Sequence, residues 1–253
     1  MGGWFDGHMS RRDVQIPTAD GQCPGTLHLP DQPGPAVILY PDAGGAREVM
    51  REMGDRLATL GYVALVPDVY YREGDWEPFD LATAFGDPQE RGRLFATMAT
   101  LTPERIDADA GAFLDFLGQQ VEVTGDTVGL TGYCMGGRIS LRVAATHAPR
   151  VGAAASFHGG NLAKADDPNS PHHLADRITG AVLVAAAEQD ASFPPEQEQL
   201  LAQVLTDAGV RHTIETYPAR HGFAVTDNAT YDEATAARHW QALAELYGSH
   251  LGV

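Results

Sequence analysis

Cysteine is scarce in this chain, and long apolar runs are missing. Cys23 and Cys134 are the two cysteines among 253 residues, which excludes a disulfide framework and the CxxC spacing of many metal sites. No apolar run reaches the roughly 18 residues that a membrane-spanning helix needs. The N-terminal stretch MGGWFDGHMSRRDVQIP lacks the apolar core of a signal peptide. We therefore expect a cytoplasmic protein without a membrane segment.

Positive charge is also scarce. The chain has 17 lysines and arginines against 34 aspartates and glutamates, a formal net charge of −17. A surface this acidic repels the phosphates of nucleic acids and anionic lipid headgroups, so we expect neither as a partner. A small-molecule substrate, with a homodimer as a candidate assembly, fits better. Hydrophobic residues make up 43% of the chain, enough to build a substantial core.

Short apolar runs rich in valine, isoleucine and leucine alternate with longer segments of helical period. Strands are predicted at 25–29, 36–40, 62–66, 127–131, 152–157, 181–186 and 212–217. Helices are predicted at 46–60, 104–118, 136–148, 195–208 and 231–247. This alternation is typical of an α/β protein with a mostly parallel central sheet and helices on both faces. No repeat or low-complexity linker interrupts the series, so the pattern predicts one domain over residues 1–253.

The segment 70–101 does not follow the alternation. It mixes charges, glycine and proline with Trp76, Phe79, Phe85 and Phe95. A connection this long in a compact domain is usually an excursion with a role of its own. We expect a lid-like element here, although a surface helix packed by its aromatic residues is an equally good interpretation.

The sequence GLTGYCMGGRIS, residues 129–140, places Cys134 in a G-x-C-x-G motif between an apolar strand and an amphipathic helix. Hydrolases place a nucleophile in this context, on a tight turn at the start of a helix. The unpaired amides there favour a thiolate, and the amide of Met135 is a candidate oxyanion donor. A buried, inert cysteine remains the alternative. Cys23 lies in a polar GQCPG turn and is interpreted as structural.

A nucleophile of this kind needs a base, and the base needs an orienting acid. Asp190 follows the strand at 181–186, and His221 follows the strand at 212–217. Parallel sheets gather functional residues at the carboxyl ends of their strands. The sequence therefore predicts that Cys134, Asp190 and His221 meet at one edge of the sheet, in the chain order that this class of fold uses.

The loop PDAGGAR follows the strand at 36–40. In hydrolases of this architecture the corresponding loop supplies a second oxyanion amide, which makes Ala43 the candidate. Asp42 would then lie near Cys134. An aspartate beside two glycines is also ordinary turn chemistry, so both interpretations stay open.

Three further histidines stand out. His158, in SFHGG, ends a predicted strand but precedes Asp190 in the chain, so we expect it to line the pocket rather than to act as the base. His172 and His173 are adjacent in a loop without a cluster of carboxylates. Such a pair is more often solvated than metal-bound, and no metal site is predicted.

The motifs TGYCMGGR, EQDASFP, ARHGFAV and VPDVYYREG, in this spacing, resemble the dienelactone hydrolase family, the cysteine branch of the α/β-hydrolases. The resemblance extends over residues 13–247. It implies cleavage of an enol-lactone or a related ester through an acyl-cysteine intermediate, without a cofactor. Carried over by position, Cys134 is the nucleophile, His221 the base and Asp190 its orienting acid.

The resemblance also implies a carboxylate partner for the resting thiol and two arginines for a substrate carboxylate. Asp42 stands at the position of the carboxylate partner, and its side chain is one methylene group shorter than the family's glutamate. Arg93, with Arg91 beside it, stands at the lid position, whereas Val225 occupies the place of the second arginine. Half of a carboxylate clamp is therefore missing, and a neutral lactone or small ester is as good a candidate as an anionic dienelactone.

Two other classes of function are compatible with this pattern. A thiol-based redox or electrophile sensor would need a resolving cysteine, and Cys23 is the candidate. A non-enzymatic binding protein could share the scaffold, but the complete set of Cys134, Asp190 and His221 argues against it.

Overall fold

An eight-stranded sheet forms the centre of the protein. The structure is a computed structural model and describes residues 9–252. The strands are β1 Ser10–Thr18, β2 Gly21–Leu29, β3 Gly34–Tyr40, β4 Val63–Pro67, β5 Val123–Tyr133, β6 Val151–Phe157, β7 Ala181–Gln189 and β8 His212–Arg220. Their order in the sheet is β1-β2-β4-β3-β5-β6-β7-β8. β1 and β2 are antiparallel to their neighbours, and the strands from β4 to β8 are parallel. The sheet is therefore mostly parallel, as predicted.

Seven α-helices accompany the sheet within these residues: α1 Glu48–Thr59, α2 Leu81–Ala84, α3 Pro88–Ala99, α4 Pro103–Leu117, α5 Met135–Thr146, α6 Pro195–Asp207 and α7 Glu233–His250. Short 3-10 turns occur at Tyr71–Glu73, Ala148–Arg150 and Pro171–Arg177. Apolar residues of α4, α5 and α6 pack in one core on one face, and those of α1 and α7 pack in a second core on the other. Helices cover both faces of the sheet, which confirms the predicted fold class.

Burial on both faces explains why the central strands are continuous apolar runs. In β3, Ile38 and Tyr40 belong to the core under α5, while Val37 and Leu39 belong to the core under α1 and α7. All seven residues of β3 are buried. Such runs are the signature of parallel strands that are covered on both sides, and they explain why the sequence predicts these strands correctly.

The sequence prediction misses β1. This strand lies at the edge of the sheet, pairs only with β2, and exposes most of its residues. Its single fully buried side chain is that of Ile16, so a hydrophobic period is almost absent. The sheet therefore has eight strands rather than the seven predicted. Residues 1–8 of the N-terminal stretch in which no signal peptide is predicted lie outside the described residues.

The excursion at 70–101 folds as a 3-10 turn followed by α2 and α3. Its start is fixed to α4 by Arg72, whose guanidinium donates to both carboxylate oxygens of Asp109 at 2.7 and 2.8 Å. Tyr71 also donates to Asp109 at 3.1 Å. Both partners of the ion pair are largely buried, with side-chain exposures of 10% and 7%. The base of the segment is thus held rigidly, whatever its outer part does.

No helix within residues 9–252 is both long enough and apolar enough to cross a membrane.

Removing the buried anchor of the excursion should destabilise the protein. We expect Asp109→Ala to lower the free energy of unfolding by about 3 kcal/mol, because a buried Arg72 loses its main partner. Asp115→Ala on the same helix is the control, since Asp115 is 69% exposed and binds the exposed Arg150. That change should cost less than about 0.5 kcal/mol. Urea denaturation of both variants measures the difference, and equal losses would show that the pair does not anchor the segment.

Candidate active site

Three loops at the carboxyl ends of parallel strands bring the predicted site residues together. Cys134 follows β5 directly, Asp190 follows β7 directly, and His221 follows β8 directly. β7 and β8 are neighbours in the sheet, and β6 separates β7 from β5. His158 follows β6 itself, so all four side chains start at the same edge of the sheet.

Cys134 occupies a strained turn between β5 and α5. Its backbone angles, φ 53° and ψ −114°, lie in a region that residues with a side chain seldom adopt. A Cβ on Gly132 would lie 2.0 Å from the carbonyl oxygen of Gly136. Only glycine at position 132 therefore allows the strand and the helix to approach this closely. The turn holds the thiol at the N-terminus of α5 and away from the core.

The first turn of α5 also touches the end of β3. A Cβ on Gly136 would lie 2.2 Å from the carbonyl oxygen of Tyr40 and 2.5 Å from that of Pro41. This contact between two backbones brings the loop after β3, which contains Ala43, beside the turn that carries Cys134. Sequence spacing alone cannot give this proximity, because the two segments are about ninety residues apart.

His221 and Asp190 form a short hydrogen bond. Nδ1 of His221 lies 2.6 Å from Oδ2 of Asp190, whose side chain is only 3% exposed. The other carboxylate oxygen accepts from the amide and the hydroxyl of Ser192, at 2.8 and 2.6 Å. Both oxygens of the buried carboxylate are thus satisfied. Its orientation, and with it the orientation of the imidazole, is fixed.

The electrostatics favour a charged imidazole. Burial disfavours the imidazolium, but the hydrogen bonds and charge interactions with Cys134 and Asp190 outweigh it and raise the pKa of His221 to about 10. Burial likewise opposes ionisation of Asp190, yet the hydrogen bonds from His221 and Ser192 hold its pKa below the ordinary value. At neutral pH the site therefore contains an imidazolium next to a carboxylate.

Cys134 and His221 line one cavity of about 220 Å³. The other lining residues are Asp42, Ala43, Leu81, Phe85, His158, Gly222, Asn228, Ala229 and Thr230. Leu81 and Phe85 belong to the excursion, so this segment covers the cavity from above the sheet edge. The lining contains no lysine or arginine. The space is small and its walls are mostly apolar.

Two backbone amides beside the cavity have no hydrogen-bond acceptor. Within residues 9–252, the N–H groups of Ala43 and Met135 donate to no protein atom. The hydroxyl of the buried Tyr70 lies 3.1 Å from the carbonyl oxygen of Ala43 and 3.2 Å from the sulfur of Met135. Tyr70 therefore contacts both residues whose backbone amides are the predicted oxyanion donors. Free amides next to a nucleophile are what a developing oxyanion requires.

A model of the dienelactone hydrolase family matches residues 23–251. The chain belongs to this family. A Salmonella typhi protein named "Putative carboxymethylenebutenolidase" is 30% identical to this chain. The match covers 98% of this chain and 90% of the Salmonella protein. The enzyme is thus a dienelactone hydrolase-like hydrolase.

Solved structures of the same family share the fold. A Klebsiella pneumoniae structure titled "Putative Dienelactone Hydrolase" superimposes with a TM-score of 0.83 at 26% identity, over 96% of this chain and 100% of the other. A dienelactone hydrolase-like promiscuous phosphotriesterase from metagenomic libraries gives a TM-score of 0.77 at 29% identity, over 96% and 99% of the two chains.

Within the described residues, Asp42 forms no hydrogen bond with the thiol of Cys134, contrary to the predicted pairing, although both residues line the same cavity. Its carboxylate, 1% exposed, binds Arg47 at 2.6 and 3.1 Å and accepts from the amide of Gly44 at 2.9 Å. Arg47 extends the network to Asp227 at 2.7 Å. A neighbouring arginine offers a buried carboxylate far more than a thiol does. Asp42 therefore braces the loop that carries Ala43 instead of pairing with Cys134.

The predicted arginine clamp is also absent from the cavity. Arg93 binds Glu90 at 2.8 Å and lies over the ring of Phe79, 3.8 Å from its centroid. Arg91 reaches only the carbonyl oxygen of Phe85, at 3.4 Å. Both arginines are exposed on α3 and line no part of the cavity, because α3 turns its apolar face inward. Val225 is fully buried in the core under α7.

His158 does line the cavity, as predicted. It is 1% exposed, has a φ of 40°, and its ring centroid lies 5.1 Å from that of His221. Neither ring nitrogen has a hydrogen-bond partner within residues 9–252. Burial and the nearby imidazolium hold the pKa of His158 well below its ordinary value. This histidine is therefore neutral, next to a charged one.

No group of three potential metal ligands occurs within residues 9–252. The ring centroids of His172 and His173 lie 3.9 Å apart, with the rings tilted by 37°. Nδ1 of His172 forms a hydrogen bond of 3.0 Å with the hydroxyl of Ser170.

Cys23 lies far from Cys134. Strands β4 and β3 separate β2 from β5 in the sheet, which places the two cysteines about 14 Å apart or more at a strand spacing of about 4.8 Å. A disulfide needs Cα atoms within about 7 Å. Burial also raises the pKa of the Cys23 thiol. The fold and the comparisons therefore give no support to the redox-sensor hypothesis.

Sequence inspection overlooks Tyr70, Arg47 and Leu81 as residues of the site. Tyr70 ends the motif VPDVY after β4, so its place at a strand end was a usable signal. Arg47 follows Asp42 in the same loop, but its bonds to two aspartates from distant segments carry no sequence pattern.

The close contact between α5 and β3 predicts that Gly136 tolerates no side chain. We expect Gly136→Ala to lower the free energy of unfolding by about 3 kcal/mol or more, because its methyl group meets backbone atoms that cannot move aside. Gly92→Ala in α3 is the control, since nothing lies within 4 Å of the added carbon. That change should stabilise the helix by up to about 1 kcal/mol. Urea denaturation of both variants checks this, and a stable, active Gly136→Ala enzyme would contradict it.

Proposed function

We propose that this enzyme hydrolyses a neutral lactone or small carboxylic ester through an acyl-cysteine intermediate. One observation carries the proposal: the buried Asp190 holds His221 by a 2.6 Å hydrogen bond at a cavity that Cys134 also lines. An orienting acid, a base and a nucleophile in this relation are the working parts of covalent hydrolysis.

Acylation starts from the form of the site in which His221 holds the thiol proton of Cys134 as an imidazolium. The sulfur then attacks the carbonyl carbon, and the carbonyl oxygen becomes an oxyanion that accepts from the free amides of Met135 and Ala43. When the carbon–oxygen bond breaks, His221 returns its proton to the leaving alkoxide. The raised pKa of His221 supports this step, because the imidazolium that the step requires is the prevailing form at neutral pH.

Deacylation repeats the sequence with water. A water molecule takes the place of the departed alcohol beside His221, loses a proton to the imidazole, and attacks the thioester carbon. The tetrahedral intermediate uses the same two amides, and the carbon–sulfur bond breaks to release the acid. Asp190 keeps the imidazole in one orientation during both half-reactions. In a lactone, the leaving alkoxide and the acid are parts of one molecule.

The charges around the cavity support a neutral substrate. Arg91 and Arg93 lie outside the cavity, Val225 is buried, and Arg47 is saturated by two aspartates. A substrate carboxylate would have no guanidinium to bind and would approach the buried Asp42. Leaving such a charge unpaired costs several kcal/mol. Of the two substrate classes that the sequence leaves open, these contacts favour the neutral ester or lactone over the anionic dienelactone.

The first test compares p-nitrophenyl acetate and butyrate with cis- and trans-dienelactone. We expect turnover of both esters and little turnover of the dienelactones, and we expect Cys134→Ala to abolish ester turnover above background. Cys23→Ala is the matched control and should retain activity, because Cys23 lies several strands from the cavity. Release of p-nitrophenol and loss of dienelactone absorbance measure the rates.

The outcomes separate the parts of the proposal. Ester turnover by Cys134→Ala would reject the nucleophile. Fast dienelactone turnover that depends on Cys134 would keep the nucleophile and reject the neutral substrate.

The pKa of His221 predicts the alkaline limit of the reaction. Hydrolysis of ethyl butyrate, whose alkoxide needs a proton to leave, should persist until His221 loses its proton near its pKa of about 10. Asp190 raises that pKa, so Asp190→Asn should lower it and move the alkaline limb to lower pH. Glu188→Gln, at an exposed position two residues earlier, should leave the limb in place. An unmoved limb in Asp190→Asn would contradict the assigned role of Asp190.

A phosphotriester is a second candidate substrate class. The metagenomic relative with 29% identity is described as a promiscuous phosphotriesterase, and phosphotriesters carry no net charge, as this cavity requires. The same thiolate and oxyanion amides could act on a phosphoryl centre. Release of p-nitrophenol from paraoxon by the wild type but not by Cys134→Ala would support it.

A further inference from the structure

A second cavity has Met135, the residue that follows Cys134, in its wall. It has a volume of about 430 Å³ and is enclosed by α3, α4, α5 and the loop near residue 167. Cys134 and His221 do not line it. We propose that this cavity binds the hydrocarbon chain of an ester substrate whose carbonyl group is at Cys134. The inference rests on the proposed ester hydrolysis and names the substrate's apolar part.

The walls of the second cavity suit a hydrocarbon. Met98 and Leu101 come from the end of the excursion, Ile106 comes from α4, and Met135 and Ile139 come from α5. Each of these side chains is apolar. The volume falls within the range of small-molecule sites in proteins and exceeds what a linear chain of eight carbons occupies.

The charged residues that line this cavity are already paired. Arg138 binds Asp167 at 2.6 Å, and Arg142 binds Asp107 through two hydrogen bonds of 2.9 and 2.6 Å. Neither guanidinium is available to a ligand carboxylate or phosphate without breaking an ion pair. The occupant is therefore uncharged where it meets this cavity.

Met135 connects the second cavity to the nucleophile. It follows Cys134 directly in the chain, its amide is the candidate oxyanion donor, and the residue forms part of the wall of the second cavity. Its sulfur lies 3.2 Å from the hydroxyl of Tyr70, which also contacts Ala43 in the wall of the first cavity. In this proposal, the Met135 side chain is the partition between the two cavities.

A methionine partition can move. Methionine is unbranched, has three rotatable bonds and adapts to irregular spaces. An acyl chain that extends from a carbonyl group at Cys134 could displace this side chain and enter the larger cavity. The same excursion covers both cavities, with Phe85 over the first and Met98 over the second.

The test measures kcat/KM for p-nitrophenyl acetate, butyrate, hexanoate and octanoate. Ala99 lines the second cavity at an exposed position on α3, so Ala99→Trp fills the cavity without disturbing the core. Each buried methylene group contributes about fourfold to binding. We expect Ala99→Trp to lower kcat/KM for the octanoate about tenfold or more, while acetate hydrolysis stays unchanged. Ala96→Trp, one turn earlier on the exposed side and outside the cavity, is the matched control and should change neither.

A second variant tests the partition itself. Met135→Ala keeps the backbone amide and removes the wall, so the ratio of octanoate to acetate kcat/KM should rise, and Ala99→Trp in that background should reverse the rise. Equal effects on acetate and octanoate in Ala99→Trp, or an unchanged ratio in Met135→Ala, would overturn the proposal. These results differ from a failure of the proposed function, in which Cys134→Ala would still hydrolyse acetate.

Discussion

The contact between the first turn of α5 and the carboxyl end of β3 is the constraint on which the rest of the site depends. It requires glycine at 136, and the strained turn before it requires glycine at 132. Both requirements follow from backbone approaching backbone. The contact places the thiol of Cys134 and the amide of Ala43 beside each other and leaves that amide without an acceptor. A backbone amide without an acceptor lowers the stability of the folded protein. The contact between α5 and β3 keeps the Ala43 amide in this position.

The role of each buried carboxylate near the cavity depends on the side chains within hydrogen-bond distance of it. Asp190 binds an imidazole and a hydroxyl, which leaves His221 directed at the cavity. Asp42 binds an arginine, which leaves a rigid loop but no charge directed at the thiol. The two aspartates are chemically identical, so the difference in role arises from neighbours that the fold supplies. This is the same physical rule that governs paired and unpaired buried charges in general.

The distribution of positive charge has a similar logic. Arg47, Arg72, Arg138 and Arg142 each bind an aspartate, as expected in a chain with twice as many acids as bases. In such a chain a free arginine inside a cavity would be the exception. The pairing of these arginines with aspartates is thus a consequence of the acidic composition as well as of local geometry.

The sequence by itself determined the parallel strands, the helices between them and the order of Cys134, Asp190 and His221, because these depend on local periodicity and on turn chemistry at strand ends. It could not reveal β1, since an exposed edge strand leaves almost no hydrophobic period. Only the tertiary structure decided the partners of Asp42, the exclusion of Arg91 and Arg93 from the cavity, and the place of Met135 in the wall of the second cavity. Those outcomes depend on which distant side chains meet in space, and a hydrogen bond between segments far apart in the chain leaves no local pattern.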